Sequence, residues 1–82
     1  MPRLARAVAE GLLFTDAHSA ASTCTPSRAA LLTGREPRRT KVQGVLRPSG
    51  CGGLAPSEVT VAEALRGAGY ATAYVGKWHL GA

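Results

Sequence analysis

Two short polar clusters carry the residue types that do chemistry: Cys24-Thr25-Pro26-Ser27-Arg28 and Lys77-Trp78-His79. A cysteine is a nucleophile, an arginine grips oxyanions through a forked set of donors, lysine brings fixed charge, and histidine carries a proton near neutral pH. Thr25 and Pro26 read as the N-cap and first residue of a helix that Ala29-Ala30-Leu31-Leu32 continue and Gly34 closes. Cys24 then precedes a helix start, where unpaired backbone N–H groups attract anions. Helical side chains lean toward the N-terminus, so Arg28, in the first turn, can return its guanidinium to the region of Cys24. Together these suit a tetrahedral oxyanion, sulfate or phosphate. The same residues also fit an ordinary capped helix with a buried cysteine.

If strand geometry persists through the second cluster, Lys77 and His79 point to one side and Trp78 to the other, into packing. The pair would then supply charge and a proton carrier. A solvated lysine beside a histidine bonded to a local carbonyl would leave the same sequence.

The elements that must position these clusters follow from punctuation. Residues 2–10 read as a helix, with Pro2 in its first turn and Gly11 as its stop. Residues 12–20 read as extended. Residues 35–58 hold three of the five prolines, four of the ten glycines and five of the ten Lys and Arg residues, and read as a long loop with room for a short irregular strand. Thr60-Val61-Ala62-Glu63 matches a capping box, opening a helix to about Ala68 with Gly69 beyond it. Residues 70–76 read as a buried strand. The order helix, strand, helix, loop, helix, strand predicts an α/β protein. In such sheets ligands bind beyond the C-terminal ends of strands, and both clusters follow a predicted strand.

Composition sets the outer bounds. With 82 residues the chain makes one small domain at most, and 45% hydrophobic residues exclude a disordered composition. No apolar run approaches the ~20 residues a membrane helix needs. Charges at Arg3 and Arg6 stand where a signal peptide's apolar region would form, so none is expected. The net charge of +5 invites anionic partners, and Arg35, Arg38, Arg39, Lys41 and Arg47 concentrate it in one stretch. That stretch is a solvated loop or an anion-binding surface. It lacks interleaved aromatics and zinc-finger spacing, so nucleic acid is not an expected partner. Cys24 and Cys51 form no C-x-x-C pair, which argues against zinc or thioredoxin-like chemistry; a disulfide between them, or two unrelated thiols, stays open.

Cys24-Thr25-Pro26-Ser27-Arg28-Ala29-Ala30-Leu31-Leu32-Thr33-Gly34-Arg35 resembles the sulfatase signature C-x-P-S-R-x-x-x-L-T-G-R, and Gly76-Lys77-Trp78-His79-Leu80-Gly81 resembles the second signature, G-K-W-H-L-G. The two stand in the family's order and separation. Gly52-Gly53-Leu54 and Val59-Thr60-Val61-Ala62-Glu63 are similar to arylsulfatases too, and the likeness leans to the arylsulfatase A and arylsulfatase G group. It implies an alkaline phosphatase-like α/β fold, a mixed sheet flanked by helices, of which residues 1–82 would be a partial catalytic domain.

The resemblance also implies a chemistry. Cys24 matches the cysteine oxidised in the endoplasmic reticulum to formylglycine (3-oxoalanine), and Pro26 and Arg28 match the positions that the formylglycine-generating enzyme requires. In the family, one hydroxyl of the hydrated aldehyde attacks sulfur and displaces the alcohol; deprotonation of the second expels sulfate. Arg28 matches the arginine that holds the diol near the metal, Lys77 the lysine that contacts diol and sulfate, and His79 the histidine that contacts substrate and assists deprotonation. The implied metal is calcium, with modified residue 24 among its ligands. The implied substrate is a sulfated glycan or sulfolipid, and the implied location is the lysosome or secretory pathway.

Several family positions have no counterpart. An Asp pair that binds calcium would lie upstream of Leu4; an Asp-Asn pair and a further substrate-binding histidine and lysine would lie beyond Ala82. Asp16 matches no metal position. The expectation is therefore a slice that is inactive and poorly folded alone. The rival readings are a phosphatase-like relative with a Ser or Thr nucleophile, a basic anion- or glycan-binding module without catalysis, and a small domain stapled by Cys24 and Cys51.

Overall fold

The structure is a computed structural model that describes residues 1–48, 50 and 52–81. Four helices occur among them: α1 (Pro2–Glu10), α2 (Cys24–Thr33), α3 (Pro37–Thr40) and α4 (Val61–Gly67). The proline at the start of α1 lacks only an N–H that the first turn leaves unpaired anyway. Arg6 and Glu10, one turn apart, form an exposed ion pair at 2.8 Å. No residue of α1 is buried, and α1 packs against no other helix.

Helix α2 is the hub, with α3 and α4 packing on it. Its C-terminus closes as expected: Gly34 takes the left-handed conformation, φ +67°, and donates its N–H to the Ala30 carbonyl at 2.8 Å. Its start differs from expectation. Thr23, in extended conformation, is the N-cap, and Cys24 is already helical. The Thr25 hydroxyl is not free to cap, because it accepts the Leu46 N–H at 3.2 Å in a fully buried position. The loop expected over 35–58 contains α3, ended by Lys41 at φ +60°. Helix α4 opens with the predicted capping box. Glu63 N–H donates to the Thr60 hydroxyl and Thr60 N–H to the Glu63 carboxylate, each at 3.3 Å.

The buried apolar cluster is small: Ala29, Val42 and Leu80, with Leu32 and Leu54 partly buried against it. It binds the end of the second signature to the middle of α2. The backbones of residues 52–54 and 80–81 meet closely there. Leu54 N–H donates to the Leu80 carbonyl at 2.8 Å, and a Cβ on Gly53 would stand 2.3 Å from that same oxygen. Gly53 is therefore required by contact as well as by its φ of +156°. In the full-length protein Gly53→Ala is expected to cost about 2 kcal/mol or more. The check is a lowered denaturation midpoint together with faster hydrogen exchange at the Leu54 amide.

The predicted buried strand at 70–76 is not formed. Tyr70, Tyr74 and Val75 are exposed, Val75 at 96%, and no strand ladder occurs among the described residues. Residues 12–20 likewise form no ladder, and Leu12, Leu13 and Phe14 are exposed. A strand is defined by the neighbour that takes its N–H and C=O groups, and neither segment has one among the described residues. The radius of gyration, 15.4 Å, exceeds the roughly 12 Å of a compact chain of this length.

Candidate active site

Cys24 carries a free, half-buried thiol in the first turn of α2. It lines a cleft of about 930 Å³ together with His18, Ser19, Ser27, Arg28 and Arg35. One wall is the chain approaching the helix, residues 18–23. Two hydroxyls pin that wall. Ser27 donates to the Ala21 carbonyl at 2.6 Å, Ser19 donates to the same oxygen at 2.8 Å, and the two hydroxyls lie 3.0 Å apart. The first signature's serine thus fixes the backbone leading to Cys24, a role its residue type alone did not disclose. Pro26 is fully buried beneath this turn and contributes no N–H of its own.

Arg28 stands one turn beyond Cys24, on the same helix face. Its Nη1 donates to the Lys77 carbonyl at 2.6 Å, across 49 residues of sequence. Its Nε is buried and has no hydrogen-bond partner. The guanidinium therefore joins the two signatures with one nitrogen and keeps another donor unspent beside the thiol's helix.

The second cluster is not strand-like. His79 takes φ +55°, rare for a residue with a Cβ, so the expected alternation of Lys77 and His79 about a strand is not realised. A backbone held in that region is typical of sites where surrounding contacts fix a functional side chain. Here the fixing contacts are visible: His79 Nε2 lies 2.8 Å from the Leu46 carbonyl, and Leu80 next to it is buried in the core. The carbonyl requires Nε2 to carry the proton. Nδ1, buried and unpartnered, is then an acceptor in the neutral ring. Trp78 does pack, though half-exposed: its ring meets Tyr74 edge-on at 5.3 Å, and its Nε1 donates to the Gly81 carbonyl at 3.0 Å. The Tyr74 hydroxyl donates to the Lys77 carbonyl that Arg28 also holds.

The structure thus brings Cys24 and Arg28 together in one cleft and ties Arg28 to the Lys77 backbone. It does not place the Lys77 or His79 side chains on the cleft wall. Lys77 is exposed. Sequence reasoning passed over His18, which lines the cleft with its ring 2.7 Å from the exposed Asp16 carboxylate; no pattern in the chain marked it. In the basic stretch, Arg35 is engaged, its Nη1 donating to both carboxylate oxygens of Glu58 at 2.9 Å. Cys51, and with it the Cys24–Cys51 disulfide, lies outside the described residues.

Among the described residues no group of three or more His, Cys, Asp or Glu side chains could hold a metal ion, so they do not by themselves fit calcium. Position 24 does fit a modified nucleophile, being half-buried at a helix start and open to a cleft with an arginine on its face. No helix is long and apolar enough to cross a membrane among the described residues.

Comparison with known proteins places the chain in a wider context. The family model named Sulfatase matches residues 1–82. Arylsulfatase A of Homo sapiens is 58% identical over 81 residues, 98% of this chain and 16% of that protein. Steryl-sulfatase of Mus musculus is 52% identical over 86 residues, 98% of this chain and 14% of its own length. Arylsulfatase G of Mus musculus is 53% identical over 78 residues, 95% and 15% respectively. The chain therefore spans about one sixth of the length of these relatives. No solved structure matches it.

Proposed function

From the premise that this chain belongs to the sulfatase family, we propose that it is the nucleophile-bearing part of a sulfuric ester hydrolase of arylsulfatase type. Membership carries with it the alkaline phosphatase-like α/β fold, although no strand forms among the described residues. The observation that best supports the functional reading is the Arg28–Lys77 hydrogen bond, which draws the two signatures to one place.

Cys24 is the precursor of the nucleophile. Its CH2–SH is oxidised to an aldehyde by the formylglycine-generating enzyme, for which Pro26 and Arg28 are recognition positions; dioxygen is the oxidant, an external thiol supplies two reducing equivalents, and the sulfur leaves as sulfide with one water formed. Formylglycine supplies a hydrated aldehyde, one hydroxyl for attack on sulfur and one for release of sulfate. The chain's own residues do the rest. The helix start and Arg28 place positive potential where the sulfate oxygens gather. The resemblance gives Lys77 a contact to the sulfate and His79 the proton-accepting role; Nδ1 is the ring nitrogen left for it, Nε2 being held on the Leu46 carbonyl, although neither side chain lines the Cys24 cleft in this structure. Calcium, which the family implies, is not enclosed by the described residues, and position 24 is the one ligand among them that the resemblance offers.

The substrate is a sulfated glycan or sulfolipid, and the site of modification and action is the secretory pathway or lysosome. The 82-residue chain on its own does not turn over substrate. Supporting this are the small core, the bare apolar segments at 12–14 and 70–75, and the one-sixth span of its relatives. The test is hydrolysis of an aryl sulfate in the presence of calcium, with the 82-residue chain and the full-length protein containing it assayed side by side. Turnover by the full-length protein alone is expected. Turnover by the short chain would overturn its dependence on the remainder, and salt-dependent glycan binding without any hydrolysis would favour the non-catalytic binding module.

A further inference from the structure

Thr25 follows the nucleophile position and is fully buried, 0% exposed. Valine has nearly the same shape and would bury there without a polar atom, so the hydroxyl calls for a reason. Its hydrogen bond supplies one: the hydroxyl accepts the Leu46 N–H at 3.2 Å. Leu46 is held at its other end too, its carbonyl lying 2.8 Å from His79 Nε2. One residue's backbone thus joins the first turn of α2, the irregular stretch after α3 and the second signature. No backbone–backbone hydrogen bond involves residues 42–46 among the described residues, and Val42 is anchored by its side chain in the core instead. The position of the Leu46 carbonyl therefore depends on its N–H being held. That carbonyl in turn decides the His79 ring. It keeps the proton on Nε2 and leaves Nδ1, buried and unpartnered, as the acceptor. The His79 backbone sits at φ +55°, a conformation that persists only where contacts hold it.

We infer that Thr25 is a positioning residue for His79: through the Leu46 backbone it sets the orientation and the protonated nitrogen of the imidazole. Thr25 itself touches no reacting atom. The imidazole does not line the Cys24 cleft, so the connection anchors it to the helix that carries residue 24. A hydroxyl next to the nucleophile and a histidine far along the chain then keep one spatial relation, although no bond joins them directly. This rests on the sulfatase reading for the proton-accepting role of His79. The connection between Thr25, Leu46 and His79 stands on the two hydrogen bonds.

The test uses the full-length protein, with turnover of an aryl sulfate divided by the fraction converted at residue 24. Thr25→Val keeps the shape and loses the oxygen, whereas Thr25→Ser keeps the oxygen. Thr25→Val is expected to lower kcat about tenfold, with KM changed by less than about twofold. Thr25→Ser is expected to stay within about threefold of the unsubstituted protein. His79→Gln is expected to slow turnover about a hundredfold. In that background Thr25→Val should cost less than about twofold more, because the residue it positions is gone. A residue that merely stabilised the fold would lower turnover by the same factor in both backgrounds. If Thr25→Val does not fold, Thr25→Ala set against Thr25→Ser makes the same comparison. A second readout needs no turnover. The His79 Nε2–H proton, identified in NMR spectra by its loss in His79→Gln, is expected to exchange with water about tenfold faster or more in Thr25→Val than in Thr25→Ser. An unchanged kcat in Thr25→Val, equal losses in the two backgrounds, or equal exchange in the Val and Ser variants overturns the positioning role. Absence of aryl-sulfate hydrolysis by the unsubstituted protein overturns the sulfatase reading instead, and proton exchange still decides the Thr25 connection separately.

Discussion

In the full-length protein, Cys24→Ala is expected to lower sulfate-ester turnover by about four orders of magnitude or more, to whatever residual rate binding alone sustains. The size of the effect follows from covalent catalysis. Without the side chain at the start of α2 there is no atom to form the bond to sulfur, and the positive face supplied by Arg28 has nothing to activate. Cys24→Ser separates the two halves of the reaction. A serine oxygen can form a bond to sulfur as the ester S–O bond breaks and the alcohol departs with a proton. It has no second hydroxyl through which sulfate can be expelled. The serine variant should therefore release about one alcohol per protein molecule and stop. Intact-mass analysis should then find the sulfate on residue 24. Multiple turnover by the serine variant would place the chemistry elsewhere, and a thiol nucleophile acting unmodified would show no such split.

Arg28→Ala is expected to reduce kcat by about two to three orders of magnitude, as when a preorganised donor to a developing negative charge is removed. Arg28→Lys should recover little of it. The guanidinium makes two separate demands: Nη1 reaches the Lys77 carbonyl, while Nε stays buried and unspent. An ammonium is a single point of charge on a flexible stem and cannot hold the second signature and face a sulfate together. Because Arg28 also matches a recognition position for the modifying enzyme, turnover must be divided by the fraction of protein converted at residue 24. A loss that persists per converted molecule belongs to the active site. One that disappears on this correction assigns Arg28 to the modification step alone.

Local signals in the chain were legible where a few neighbouring residues decide the outcome. The Thr60–Glu63 capping box, the Pro2 start of α1 and the left-handed Gly34 close of α2 all form from side chains and backbone within one turn. The start of α2 was misjudged by two residues because the Thr25 hydroxyl is claimed by Leu46, which sits 21 residues away and carries no local mark. The strand expected at 70–76 depends on a partner strand, and residues such as Val75 stay exposed without one. Of the residues the sequence singled out, Cys24 and Arg28 share one cleft, whereas the Lys77 and His79 side chains do not line it. The arrangement of the second cluster was not legible. The positive φ of His79 and the tight meeting of Gly53 with Leu80 are set by packing between distant segments. Ser27 looked like a motif letter and proved to be the pin that holds residues 18–23 over the helix start.

The family assignment rests on the whole chain, and the mechanism rests on one side chain. The most direct measurement is mass spectrometry of the tryptic peptide Ala7–Arg28 from the full-length protein produced in eukaryotic cells. An aldehyde is expected at position 24 in place of the CH2–SH group, trapped by a carbonyl reagent. An unmodified cysteine there, or a disulfide from Cys24 to Cys51, would contradict it.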